Sequence, residues 1–221
     1  MAQEKSCFTR KVFWQNPYLT ELKVIITSVN GNDITVDKTI FYAFSGGQES
    51  DEGTIGGKHV IEAKKEDGNI IYTVENGKYF HVGDEVIMNI DWSRRYKLMK
   101  SHFAAEIILE LIYKRIPTIK KTGAHISPGK SRMSFEYDGN LADILPEITK
   151  STNEIINSNS VIKSDFSDEK NERRYWEIAN FAKVPCCGTH LKSTGEIGLL
   201  EIKRKTGGKG KEKIEICLKN S

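Results

Sequence analysis

The stretch Glu85-Val-Ile-Met-Asn-Ile-Asp-Trp-Ser-Arg-Arg-Tyr-Lys-Leu-Met-Lys-Ser-His-Phe-Ala-Ala-Glu-Ile-Ile-Leu-Glu-Leu-Ile112 changes its period halfway along. Glu85–Ile90 reads as the last of a series of short strands. After Asp91, residues Tyr96, Met99, Phe103, Ile107 and Leu111 recur at helical spacing, as do Leu98, Ala105, Leu109 and Ile112. Asp91 or Ser93 can cap the start of this helix, and Pro117 stops it. A domain boundary is therefore expected near residue 91, with a β-rich domain over 1–90 and a second domain over 91–221.

Toward the N-terminus, Glu21–Val29 reads as a strand. Asn30-Gly31-Asn32-Asp33 reads as a turn and Ile34–Asp37 as the returning arm of a hairpin. Further short strands are expected near Gly53–Ile55, Lys58–Ala63 and Asn69–Val74. Turns at Asp67-Gly68, Asn76-Gly77 and Gly83-Asp84 punctuate them. Many short strands with frequent turns suggest a small barrel. Toward the C-terminus, a strand pair is expected within Ala124–Tyr137. A second helix should run from Pro146 to about Asn157, and a strand over Val161–Asp165. A short charged helix is read over Ser167–Trp176. Two closing strands, Gly198–Lys203 and Lys213–Lys219, flank a glycine-rich turn. The fold class is α+β, a small β-barrel followed by a domain with an antiparallel sheet and packed helices.

The chain has 221 residues, of which 38% are hydrophobic and 29% charged, with a net charge of +3. That balance neither requires nor excludes a polyanionic partner, so the placement of charge matters more than its total. No apolar run approaches the roughly 20 residues of a membrane span. The first residues lack the apolar segment of a signal peptide. A cytoplasmic protein with reduced thiols is expected, with no membrane and no stable protein partner. Cys7 and Cys217 stand alone in the sequence and are given no role.

Three groups of residues could carry chemistry. His102 and Glu106 stand at i and i+4, on one face of the expected helix. About 80 residues on, Val184-Pro-Cys-Cys-Gly-Thr-His190 places Cys186 and His190 four apart around Gly188. Imidazole, carboxylate and thiolate suit Zn²⁺, although a helix-surface pair beside inert thiols has the same spacing. The second group is Phe41-Tyr-Ala-Phe-Ser-Gly46-Gly47-Gln48, where paired glycines let a backbone approach a ligand or take up φ > 0. The third is the basic end: Lys203, Arg204, Lys205, Lys209, Lys211 and Lys213, interrupted by glycines, with Glu212 the one acid among them. Such a hairpin can neutralise phosphates.

Taken in order, these motifs resemble the alanyl-tRNA editing proteins of the AlaX family, in the form with an N-terminal barrel. The resemblance covers nearly the whole length. It lies in Thr9–Tyr18, in Asp37–Gln48 followed by Asp51-Glu52-Gly53, and in Asp91–Arg95 leading into His102. It continues in Cys186–His190 with Thr194–Gly198, and in Lys209–Ile214. It implies hydrolysis of mischarged tRNA(Ala), seryl-tRNA(Ala) first and glycyl-tRNA(Ala) second, by one zinc ion per chain. His102, Cys186 and His190 match the family's metal ligands. Position 106 is usually His there and is Glu106 here; ligation by Glu106 is favoured over a role as general base or as partner of the substrate's ammonium. Thr39, Gly46, Gly47 and Gln48 match a loop that faces the substrate from the barrel, and the basic hairpin matches a tRNA contact. Phe44, Ser45 and Cys187 are further departures from the motifs. Without the length of a synthetase, such an enzyme would act in trans. A tRNA-binding module that has lost deacylation is the alternative, and Glu106 is the feature in its favour. A metallopeptidase is disfavoured because no H-E-x-x-H is present.

Overall fold

The computed structural model describes residues 8–219, so Cys7 lies outside the described residues. The class is α+β, mostly strands with two α-helices. The chain divides into two units. One comprises the chain up to Ser45 with Ser50–Arg95; the other comprises Gly46–Glu49 and everything from Tyr96 onward.

The first unit is built on six strands: β1 (Glu21–Asn30), β2 (Asp33–Val36), β3 (Gly53–Ile55), β4 (Lys58–Glu66), β5 (Asn69–Val74) and β6 (Glu85–Ile90). Their pairing closes a ring in the order β1-β2-β5-β4-β3-β6, with β6 returning to β1. The period-2 pattern explains why. In β5, Ile70, Tyr72 and Val74 are buried while the residues between them are half-buried. Val24, Ile26, Ile34, Val36, Ile55 and Met88 join them inside, each contributing roughly 1.5–3 kcal/mol by leaving water.

Helix α1 (Trp92–Arg115) follows. The Asp91 carboxylate accepts the Arg94 N–H at 3.1 Å, so Asp91 rather than Ser93 is the cap. Lys114 and Arg115 suit the negative end of the helix dipole. Its middle is buried on every side, from Ser101 through Ala105, as expected of a helix covered by more than one layer.

The second unit has two sheets. One is four-stranded: β7 (Lys120–Ser127), β8 (Lys130–Glu136), β12 (Leu200–Thr206) and β13 (Lys211–Leu218), in the antiparallel order β12-β13-β8-β7. The other is β9 (Lys163–Asp168), β10 (Arg173–Ile178) and β11 (Ala182–Pro185), paired in that order. Helix α2 (Leu145–Asn157) carries Pro146 in its first turn and buries Leu145, Ile148, Thr152 and Ile156, one face at helical spacing.

The short helix expected over Ser167–Trp176 is not formed; this segment is the hairpin between β9 and β10. The Asp168 carboxylate accepts from the backbone N–H of Asn171 at 3.2 Å and from its side-chain amide at 2.6 Å. Glu172 takes φ 52°. The charged residues that suggested a helix are the turn, and Tyr175 and Trp176 behind them are strand residues turned into the core.

Candidate metal centre

His102 stands in the buried middle of α1. Cys186 and His190 stand on the loop after β11. The sheet fixes where that loop begins: Trp176 pairs with Val184, and the Cys186 N–H donates to the Arg174 carbonyl at 3.0 Å. The loop's far end is tied by Thr194–Ile197. There the Glu196 carboxylate accepts the N–H groups of Lys192 and Ser193 at 2.9 and 3.1 Å, and the Tyr96 hydroxyl of α1 at 3.0 Å. Burial and this carboxylate push the Tyr96 phenol up to about 12.

One ligand atom from each of His102, Cys186 and His190 lies within 4.8 Å of the others. Cys186 Sγ is 3.3 Å from His102 Nε2 and 3.3 Å from His190 Nε2. The two imidazoles lie nearly parallel, 5.4 Å between centroids. His190 Nδ1 is 2.9 Å from Ser164 Oγ, a contact that orients the ring and leaves Nε2 for the cluster. Burial pushes both histidines below their ordinary value and the Cys186 thiol above its own. Neutral imidazoles are the metal-binding form.

These residues fit a zinc ion. The S–N spacing is close to the roughly 3.5 Å edge that zinc–sulfur and zinc–nitrogen bonds span in a tetrahedron. The thiol serves the two Nε2 atoms only as a weak donor to one and a weak acceptor from the other. His102 Nδ1 is buried with no hydrogen-bond partner among the described residues. A cation held by His102, Cys186 and His190 would replace these weak contacts with stronger ones.

Glycine and glutamine complete the setting. A Cβ on Gly188 would stand 2.5 Å from His102 Nε2 and 3.1 Å from Gln48 Oε1, so only glycine lets the loop approach His102 this closely. Gln48 is buried and its amide donates to Thr189 Oγ1 at 2.9 Å, beside His190. Gln48 also bridges to Ile126 of β7. Gly47, at φ +88°, lies against the Ala124 carbonyl, where a Cβ would be 2.4 Å away. Gly46–Glu49 therefore belongs with the second unit, although the stretch around it was read with the first.

Several expected site residues stand elsewhere. Glu106 is outside the metal group: its Oε2 accepts the Trp176 indole N–H at 2.8 Å. The Thr39 hydroxyl is a core group of the first unit. It is fully buried and shares a hydrogen bond with the Tyr72 hydroxyl at 2.6 Å. Arg204 is not a free cation: it grips Glu212 with Nε and Nη2 at 2.6 and 2.5 Å. Lys203 pairs with Glu201 at 3.1 Å and Lys205 with Glu215 at 4.0 Å. Lys209, Lys211 and Lys213 are exposed and have no ion pair among the described residues. Ser164, Thr189 and Trp176 were missed from sequence. Trp176, a buried aromatic in a charged run, had a signal that a helical reading hid; Ser164 had none.

Residues 9–94 match a family model described as tRNA synthetases class II (A). Residues 176–215, which include Cys186 and His190, match the threonyl and alanyl tRNA synthetase second additional domain. Fold and site thus define a module of the kind carried by those synthetases. The chain belongs to the alanyl-tRNA editing protein AlaX family. It is 35% identical to alanyl-tRNA editing protein AlaX-M of Pyrococcus horikoshii, over 95% of this chain and 98% of that one. It is 28% identical to AlaX-M of Saccharolobus solfataricus, over 96% and 99%. Alanine–tRNA ligase of Methanococcus aeolicus is 30% identical over 88% of this chain, which spans 24% of the ligase.

Proposed function

We propose that this protein is a hydrolase that edits in trans, removing the amino acid from mischarged tRNA(Ala). Seryl-tRNA(Ala) is its foremost substrate and glycyl-tRNA(Ala) its second. One zinc ion per chain would be held by His102, Cys186 and His190. The observation that carries this reading is the largely buried His/Cys/His group in a chain that AlaX-M proteins match over at least 95% of its length.

When bound, zinc supplies Lewis acidity toward an ester carbonyl. The protein's part is to hold three donors and keep room for substrate. Ser164 orients His190, Gln48 and Thr189 hold the ligand loop, and Gly188 lets it close on His102. Glu106, outside the donor set, is the anion that receives the substrate's ammonium group. A pocket that bonds the serine hydroxyl loses those bonds with alanine, so the cognate ester is spared.

The six-strand ring is read as the small barrel of residues 1–90, and 91–221 as the editing domain. Lys209, Lys211 and Lys213 are the phosphate contacts to tRNA. Lys203 and Lys205 add to them, since exposed ion pairs exchange readily for phosphate. A cytoplasmic site of action goes with this substrate.

The test is the half-life of seryl-, glycyl- and alanyl-tRNA(Ala) with purified protein, with and without a chelator. The seryl ester should be hydrolysed fast, the alanyl ester spared, and the chelator should stop the reaction. Three unchanged half-lives together with tRNA binding would leave a binding module, the reading that the departure at Glu106 favours.

A further inference from the structure

Position 106 is where this chain departs from a histidine ligand, and the structure supplies the departing residue with a partner. Glu106 lies one helical turn after His102, half-buried, close enough for its charge to act on both His102 and Cys186. A carboxylate so placed would be expected to turn to a metal. Instead its Oε2 accepts the Trp176 Nε1–H at 2.8 Å.

The indole is a fixed donor. Trp176 is 0% exposed. The edge of Phe103 meets its ring at 5.2 Å between centroids, and Phe181 stacks on it at 6.4 Å and 19°. Its backbone pairs with Val184, two residues before Cys186. The donor therefore cannot follow the carboxylate if Glu106 swings away. Such a swing would break a charge-assisted hydrogen bond and leave a buried N–H unpaired, both costly.

We infer that Trp176 is a positioning residue that withholds Glu106 from the metal. The centre then has three protein ligands, and Glu106 stays an unligated anion beside them. This rests on the metal-centre reading above.

The test loads metal-free protein with Zn²⁺ against a chromophoric chelator and, separately, records the visible spectrum of the Co²⁺ form. Wild type and Glu106→Gln should each bind one ion, with affinities less than tenfold apart and the same Co²⁺ spectrum. Trp176→Phe keeps the aromatic packing and removes the donor. It should bind Zn²⁺ about tenfold more tightly or better, in the range by which partners of ligands tune metal sites, with a changed Co²⁺ spectrum. The double variant Trp176→Phe/Glu106→Gln should return to wild-type behaviour. A tenfold loss of affinity in Glu106→Gln alone would overturn the inference, and so would a Trp176→Phe protein that matches wild type in affinity and spectrum. If Trp176→Phe does not fold, by circular dichroism, Glu106→Gln decides alone. Wild-type protein that takes up no stoichiometric ion would overturn the metal centre itself, and the inference with it.

Discussion

Arg95 and His102 stand about two turns apart on one helix, and each is the centre of a buried polar cluster. Around Arg95 everything is matched. Nε donates to Asp51 Oδ1 at 2.8 Å, Nη2 to Asp51 Oδ2 and to the Ile40 carbonyl, and Nη1 to the Pro17 carbonyl at 2.9 Å. The Asp51 carboxylate also accepts the Tyr42 N–H at 2.6 Å. Around His102 the count does not close. One thiol, a weak donor and weak acceptor, is left to serve two imidazole nitrogens, and His102 Nδ1 has no partner among the described residues. A cluster that satisfies itself holds the fold together. One that does not is built for something that arrives later.

Breaking the closed cluster should have the largest effect on stability. Asp51→Ala strands a fully buried guanidinium, which costs about 3–5 kcal/mol. Urea unfolding is the measurement, and a loss below about 1 kcal/mol, as for an exposed pair, would erase the contrast with the second cluster. Cys186→Ala should show the opposite signature. Metal content falls to nothing and seryl-tRNA(Ala) hydrolysis falls at least about 100-fold, the upper end of what partners of ligands cost. The metal-free variant should unfold within about 1 kcal/mol of the metal-free wild type, because a buried thiol packs as a small hydrophobe. A metal-free Cys186→Ala protein that hardly folds would make Cys186 a core residue first.

A smaller change sharpens the same contrast. Ser164→Ala removes the group that orients His190 and leaves all three ligands in place. Zinc affinity should fall about 10- to 100-fold, with the unfolding of the metal-free protein unchanged. Affinity equal to wild type would mean that the loop alone orients the ring.

The period change at Asp91 made α1 legible, and the members of the His102, Cys186 and His190 cluster were legible as residue types at helix and loop spacings. Their partners were not. Ser164 is an ordinary serine on a strand, made significant by a ring on another element, and no local pattern encodes that meeting. The charged Ser167–Trp176 run reads as helical because charged residues tolerate helices, whereas Asp168 and Asn171 close a turn on themselves. Glu106 reads as a ligand because it is one turn from His102, and no local pattern shows that its Oε2 accepts from Trp176, 70 residues away. Arg204 reads as a phosphate contact, and only the strand pairing that sets Glu212 opposite Thr206 shows its partner within the fold.

That last pair offers the finest test of what a closed cluster does. The Arg204 guanidinium, and then the Leu141 N–H, hold the Glu212 carboxyl below the ordinary glutamate value. A depressed folded value means the carboxylate stabilises the fold above the unfolded value, near 4.5. That contribution is lost as pH falls through the folded value. Glu212→Gln should therefore be less stable than wild type at pH 7, and the gap should narrow as pH drops below about 4.5 toward the lowered value. Arg204 is partly open to solvent, so salt screens the pair and the effect is the smallest of the four. Thermal unfolding from pH 7 to pH 3 measures it. A gap that stays constant over that range would mean that Glu212 acts through shape and its bond to Leu141, not through its charge.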